Sequence, residues 1–189
     1  MLLEIIIAST REGRSGHRIG QWFEGVARRH SGFEIELIDL ATVALPLFDE
    51  PVHPRLRQYK GEHTKSWSAT VERADAYVLV TPEYNYAPPP SLVNALDFLV
   101  HEWGYKPVGF VSYGGLSGGT RSVQMTKLIV TALKMMPMVE AVNLPFYATH
   151  LNKETGAFEP PQVQEDAGRV MLDELARWAA ALQPMRVAR

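Results

Sequence analysis

Three short, almost uncharged runs, Leu2 to Ala8, Ala76 to Val80 and Val108 to Tyr113, each pass into a loop of polar, proline or glycine residues and then into a helical pattern. Apolar runs of this length, bounded by turn residues, read as strands buried on both faces. Phe33 to Ile38 alternates apolar and acidic residues, as a half-buried or edge strand does. Met138 to Asn143 supplies a fifth strand. Helical patterns fill the intervals, from Gly16 to His30, from about Arg55 to Arg73, from Ser91 to about Trp103 and from Thr120 to Met136. A polar loop, Asn152 to Pro161, precedes a C-terminal amphipathic helix reaching about Leu182. Ser91 is placed to N-cap the helix it opens, and Pro137 to end the one before it. The stretch from Asp39 to Arg55, with Pro46, Pro51 and Pro54, reads as a long loop over the sheet edge.

Strands alternating with helices predict a parallel sheet covered on both faces. Five strands fit the flavodoxin-like order 2-1-3-4-5, a three-layer α/β sandwich with its switch point between the first and third strands. The 189 residues suffice for one domain with a full core, so residues 1–189 are expected to form a single unit. Ligands of such sheets bind outside the carboxyl ends of the strands. The loops there are Ser9 to His17, Pro82 to Pro90 and Gly114 to Gly119.

The first loop offers hydroxyls, the guanidinium groups of Arg11 and Arg14, and two glycines at a helix start. It suits a phosphate held by Ser9, Arg11, Ser15 and backbone N–H groups. An ordinary capped βα loop would look the same, and neither a P-loop nor a dinucleotide fingerprint is present. The second loop sets Tyr84, Asn85 and Tyr86 on a proline-stiffened frame. That chemistry suits a flat ring with polar edges, or simple packing of the tyrosines. Glu83 reads as structural, accepting from backbone N–H groups or from a basic partner across an interface. In the third loop glycines allow close backbone approach to a ligand or tight βα packing. Gly115-Leu116-Ser117-Gly118-Gly119 also fits the G-x-S-x-G nucleophile elbow, with Glu140 and His150 downstream in hydrolase order.

Other classes have less support. A net charge of -2 gives no reason to expect nucleic acid or an anionic membrane as partner. No run is long and apolar enough to span a bilayer, and Leu2-Leu3-Glu4-Ile5-Ile6-Ile7 is too short and wrongly flanked for a signal peptide. The absence of cysteine removes disulfides and thiolate chemistry and is compatible with a cytoplasmic protein. The six histidines show no metal-ligand spacing. Trp22, Trp67, Trp103 and Trp178 read as packing residues, and Met135, Met136 and Met138 as core filler or interface.

Together, three segments resemble the NADPH-dependent FMN reductase family, the flavodoxin-like group that includes chromate, quinone and azo-dye reductases. Ala8-Ser9-Thr10-Arg11-Glu12-Gly13-Arg14-Ser15-Gly16-His17 is similar to its G-S-x-R-x-x-S-x-N turn. Thr81-Pro82-Glu83-Tyr84-Asn85-Tyr86, continuing through Asn94 and Asp97 to Phe98, is similar to its T-P-E-Y-N-x-S-x-P-x-x-L-K-N-x-x-D-W segment. Tyr113-Gly114-Gly115 and Gly118-Gly119-Thr120-Arg121 are similar to its later glycine-rich loop. Ala8, His17, Ala87, Val93 and Phe98 depart from the pattern.

The resemblance implies noncovalent FMN, with its phosphate on Ser9, Arg11, Ser15, Gly16 and His17. Its ring would lie against Pro82, Glu83, Tyr84 and Asn85 and against Ser112, Tyr113, Gly114, Gly115 and Ser117. It implies an NAD(P)H oxidoreductase with FMN-borne, ping-pong chemistry, NADPH or NADH as donor and a small-molecule acceptor: quinone, azo compound, flavin or metal oxyanion. A homodimer or homotetramer is implied, with the helix from Ser91 to Trp103 as the interface element. A flavodoxin-like electron carrier without its own turnover and a Ser117 hydrolase are the competing readings.

Overall fold

A computed structural model describes residues 1–30 and 32–187. Six strands form one parallel sheet: β1 (Leu2–Ile7), β2 (Glu34–Asp39), β3 (Ala76–Pro82), β4 (Pro107–Tyr113), β5 (Met136–Pro137) and β6 (Val142–Leu144). The order is β2-β1-β3-β4-β5, with β6 also paired to β4. This is the expected 2-1-3-4-5 sheet, its fifth position made in two pieces. Pro107 pairs with Met136 at one end of β4 and Val111 with Val142 at the other. Four steps on β4 thus face six on its neighbour, so the chain bulges between β5 and β6. Pro137 lacks an N–H, and this edge position tolerates it.

β1 and β3 carry isoleucine, leucine and valine because both of their faces are covered. Leu3 and Ile5 pack with Ile19 and Phe23 of α1 (Gly16–His30) and Leu172 and Leu175 of α6 (Gln162–Val187). Ile6 and Leu79 point the other way, toward Trp67 and Val71 of α3 (Glu62–Arg73), Leu92 and Leu96 of α4 (Pro90–Asp97) and Val123 of α5 (Thr120–Ala132).

Several expected boundaries move. The edge loop contains a short helix, α2 (Leu40–Val43), capped by Asp39 Oδ1 accepting from Ala41 N at 3.0 Å. The helix expected from Arg55 begins instead at Glu62, after a 3₁₀ turn at Pro54–Leu56 that ends at Arg57 with φ 51°. Ser91 does not cap α4: Pro89 holds that position, and Ser91 Oγ donates to Ala8 O at 2.5 Å, tying α4 to the end of β1. α4 ends at Asp97, yet Phe98, Leu99 and Trp103 remain buried in the turns that follow. Pro137 does not end a helix; α5 stops at Ala132, and Lys134 turns the chain with φ 61°.

At the sheet's amino-terminal end the layer beneath α3, α4 and α5 contains charge. Lys106 Nζ donates to Val71 O at 2.9 Å, Glu72 O at 3.0 Å and Tyr77 Oη at 3.2 Å, closing the carboxyl end of α3. Glu4 is fully buried nearby, and neither carboxyl oxygen has a hydrogen-bond partner. Burial, with Glu36 beside it in register, pushes its carboxyl up to about 8; burial pulls the Lys106 ammonium down to about 8.

Candidate functional site

The three loops meet at the carboxyl ends of β1, β3 and β4. Ala8 N donates to Val80 O at 3.0 Å, and Glu83 N to Tyr113 O at 3.1 Å, so the parallel ladder runs to the loop bases. Between them lies a cavity of about 170 Å³. Arg11, Arg14 and Ser15 wall it from the first loop, and Pro82, Glu83 and Tyr84 from the second. Tyr113, Gly114 and Gly115 complete it from the third, with Tyr147 at the side. Enclosed ligand pockets run to about 300–1,000 Å³, so a larger ligand here lies partly in the open.

Ser9 lies beneath the cavity. It is fully buried and its Oγ accepts from Tyr113 Oη at 3.0 Å. Burial holds the Tyr113 phenol well above its ordinary pKa, so it stays a donor. Gly16, the first residue of α1, sits on this pair. A Cβ there would stand 2.3 Å from Ser9 Oγ and 2.6 Å from Tyr113 Oη. Only glycine lets the helix start this close to the β1 end.

Arg14 Nη2 donates to Asp39 Oδ2 at 2.7 Å, which anchors the guanidinium to the end of β2. Its Nη1 is buried with no partner. His17 is half-exposed on the outer side, Nδ1 3.6 Å from the same Asp39 oxygen. Arg11 reaches Glu12 O at 3.3 Å and lies open to the cavity.

The second loop is a tight turn. Tyr84 and Ala87 exchange both backbone hydrogen bonds at 2.9 Å, with Asn85 at φ 51° and Tyr86 at φ 70° between them. Two central residues in the left-handed region are the signature of a type I′ turn. Asn85 therefore stands exposed at the tip, away from the cavity wall. The Tyr86 ring lies under the Arg121 guanidinium, 3.8 Å from its centre, and not over the cavity.

Glu83 clamps the second loop to the third. Its Oε2 accepts from Ser117 Oγ at 2.9 Å and from Arg121 N at 3.2 Å; its Oε1 accepts from Arg121 Nε at 2.6 Å. Burial pushes this carboxyl up, but the bonds from Arg121 and Ser117 outweigh that and hold it below its ordinary value. The basic partner is thus Arg121 of the same chain and not a residue across an interface. Ser112 is fully buried, donating to Gly118 O at 2.8 Å beneath the turn. Gly119, at φ 86°, has no room for a side chain: a Cβ would stand 2.8 Å from Tyr113 N. Gly115 differs, because a Cβ there meets nothing within 4 Å. Its N–H has no acceptor among the described residues.

Geometry removes the support for a hydrolase. Ser117 Oγ donates to a carboxylate held by an arginine, and His150 packs against Phe158 at 6.2 Å between ring centres. No histidine is placed to take the Ser117 proton, which a nucleophile elbow requires.

Of the sequence candidates, Arg11, Ser15, Pro82, Glu83, Tyr84, Tyr113, Gly114 and Gly115 line the cavity. Ser9, Gly16, Ser112 and Ser117 shape it from beneath or behind, and His17 and Asn85 stand outside. Beyond these candidates the structure adds Arg14 and Tyr147 to the lining and Asp39 as the anchor of Arg14. Arg14 was visible as a second arginine in the loop; nothing local marks Tyr147, which arrives from beyond β6 and packs edge-on to Tyr113 at 5.1 Å.

The parts fit an FMN-sized ligand with a phosphate at one end. Arg14, with one buried guanidinium nitrogen unpartnered, lies two residues before a helix whose first N–H groups lack intrahelical acceptors. An open glycine with an unused N–H stands opposite. Among the described residues no cluster of His, Cys, Asp and Glu could hold a metal ion, and no helix is long and apolar enough to cross a membrane.

A doubly wound sheet with this site at its switch point defines a flavodoxin-like protein, and comparison with known proteins makes it an oxidoreductase. Residues 1–149 match the model of the NADPH-dependent FMN reductase family, and the chain belongs to that family. It is 40% identical over 145 residues to an NAD(P)H-dependent FMN reductase of Schizosaccharomyces pombe, covering 75% of this chain and 72% of that one. An FMN-dependent NADPH-azoreductase of Staphylococcus saprophyticus is 27% identical over 130 residues, 68% of this chain and 69% of the relative. The fold is similar to that of the flavoenzyme NAD(P)H:(acceptor) oxidoreductase FerB from Paracoccus denitrificans, with a TM-score of 0.72 at 19% identity, over 95% of this chain and 97% of that one.

Proposed function

We propose that this chain, as one FMN-binding domain, oxidises NAD(P)H and reduces a small-molecule acceptor, a quinone, azo compound, flavin or metal oxyanion, by a ping-pong mechanism. One observation carries the reading: three strand-end loops converge on a single cavity with Arg11, Arg14 and Ser15 on one side and an open glycine on the other. FMN held there would supply the hydride-transfer chemistry between NAD(P)H and the acceptor.

The chain's residues bind and orient. Arg14, Arg11, Ser15 and the first turn of α1 hold the phosphate, and Asp39 keeps Arg14 aimed. Pro82, Tyr84 and Gly115 border the ring, with the Gly115 N–H free for its polar edge. The Glu83–Ser117–Arg121 clamp fixes the spacing of the two ring-binding loops. NAD(P)H and acceptor use the same open side in turn.

Initial rates with both substrates varied are expected to give parallel double-reciprocal lines; intersecting lines would rule out the shared side. Arg14→Ala is expected to weaken FMN binding about tenfold, the loss of a charge-assisted pair. Fluorescence titration of the apoprotein measures it, and unchanged affinity would remove Arg14 from the phosphate site.

The proposed protein is a cytoplasmic homodimer or homotetramer. α4 is a poorer interface than its sequence suggests, because Leu92, Ala95 and Leu96 are buried in the chain's own core. α5 instead exposes Leu128 (76%) and Met125 (46%) one turn apart, in line with Arg121. Leu128→Glu is expected to shift the sedimentation coefficient to that of a monomer; an unshifted oligomer would place the interface elsewhere.

A further inference from the structure

Two exposed apolar side chains adjoin the wall of the strand-end cavity without lining it. Leu116 follows Gly115 and is 83% exposed; Phe146 precedes Tyr147 and is 56% exposed. One carbonyl ties the two segments together: Gly115 O accepts from Phe146 N at 3.0 Å and from Gly118 N at 3.1 Å. Pro145, also exposed, packs on the same turn, where a Cβ on Gly118 would stand 3.0 Å from its nitrogen. Leu116, Pro145 and Phe146 thus make an apolar edge on the Gly115 side of the cavity.

A single exposed leucine needs no explanation, because much of any protein surface is apolar. Phe146 does need one. Its backbone is left-handed, at φ 46°, a conformation that costs free energy for a bulky residue. It is pinned there from both sides. Its N–H is bound to the Gly115 carbonyl, and its own carbonyl accepts from Thr149 N and Thr149 Oγ1, each at 2.9 Å. The fold therefore holds an aromatic ring more than half exposed beside the site, in a backbone state that glycine or asparagine adopts more easily.

The edge is also free of charge. Residues 113–120 and 141–149 include no Asp, Glu, Lys, Arg or His. Arg11 and Arg14 belong to the first loop, and Arg121 is engaged by Glu83 and Tyr86. A metal oxyanion gains nothing from such a surface, whereas an alkyl chain carried on an acceptor ring is removed from water against it.

We infer that Leu116 and Phe146 select the acceptor by receiving an apolar substituent that extends beyond its reacting ring. The acceptor is then a quinone with an alkyl side chain in preference to a bare ring. The inference rests on the oxidoreductase reading and adds to it two specificity-determining residues outside the cavity wall.

Steady-state rates of the FMN-loaded protein with methylbenzoquinone and hexylbenzoquinone test it, because the two rings are electronically alike and only the alkyl length differs. The wild type is expected to show a kcat/KM about tenfold higher for the hexyl compound, mostly through KM, as part of the chain is buried on two side chains. Phe146→Asn removes the ring and suits the left-handed backbone; Leu116→Ser removes the other apolar group. Each is expected to lower the hexyl-to-methyl ratio about threefold, and the double variant to bring it within about twofold of unity. Equal kcat/KM for the two quinones in the wild type, or a ratio that survives in the double variant, overturns the assignment. A Phe146→Asn protein that sediments as a smaller species with its ratio intact also overturns it, and gives this edge to a second copy of the chain. A wild type that takes up no FMN, or oxidises NAD(P)H with neither quinone, would instead defeat the oxidoreductase reading on which the inference rests.

Discussion

Glu4→Gln is expected to stabilise the protein, and by an amount that grows as the pH rises. Glu4 is fully buried on β1, and neither oxygen finds a hydrogen-bond donor. Burial is the main cause of its raised pKa; Glu36 adds to it, and Lys106 and Arg73 oppose without cancelling it. The folded protein keeps the proton up to about pH 8, whereas the unfolded chain releases it near the ordinary 4.5. Native protein therefore binds the extra proton between these values, and its stability falls as pH rises through that window. The contribution is fully present below 4.5 and lost through 8. At about 1.4 kcal/mol per unit of pKa difference, the ceiling is ~5 kcal/mol. Glutamine has the same shape and no proton to lose.

Urea melts at pH 5, 6.5 and 8 should therefore show wild type and Glu4→Gln close together at pH 5 and several kcal/mol apart at pH 8. Parallel curves would mean that Glu4 is ionised or solvated in the native state. Lys106 works in the opposite direction. Its folded pKa is depressed, so its contribution is full above the unfolded value of 10.5 and lost as pH falls through about 8. Glu4→Leu also removes two unsatisfied polar atoms and should gain stability at every pH.

Gly16→Ala is the second large effect, and it couples fold to site. Its Cβ would stand 2.3 Å from Ser9 Oγ and 2.6 Å from Tyr113 Oη, two atoms that are themselves buried and bonded. Something must shift: either α1 moves off the sheet, or the Ser9–Tyr113 pair breaks and the cavity wall with it. A cost of about 2 kcal/mol is expected from overpacking of this kind. FMN affinity should fall at least tenfold, because the first turn of α1 is displaced from the proposed phosphate position. Ser9→Ala removes the nearer obstacle, so Gly16→Ala/Ser9→Ala should recover part of both losses, a non-additivity expected of touching residues. If Gly16→Ala alone melts and binds FMN like the wild type, the close approach at this helix start is not a constraint.

The sheet was legible because its signals are local and redundant. β1 and β3 are buried on both faces, and their near-continuous apolar runs say so. α1 matched the expected Gly16 to His30 because its polar start follows a strand end directly. The misplacements share a physical cause: tertiary contacts decided them. Ser91 has the chemistry of an N-cap, but β1 offers its hydroxyl the Ala8 carbonyl, and Pro89 takes the cap position. Pro137 reads as a helix breaker, yet it pairs at a sheet edge where its missing N–H faces no neighbour. Phe98 and Trp103 continue an apolar pattern past the helix that ends at Asp97, because the following turns face the same core.

The site divides in the same way. Its loops were legible from residue type and position, whereas the direction of each side chain was not. Tyr86 looks like a ring for a ligand, but Arg121, distant in sequence, holds it outside. Arg14 and Arg11 look equivalent until Asp39, at the end of another strand, anchors one of them.

On the proposed function this chain carries FMN, and NAD(P)H reduces it. The direct measurement is the absorption spectrum of the purified protein supplied with FMN and freed of excess, before and after anaerobic NADPH. Flavin bands at about 370 and 450 nm, properties of the cofactor that the protein only tunes, should stay with the protein and bleach on NADPH. A colourless protein that neither retains FMN nor oxidises NADPH would contradict the account.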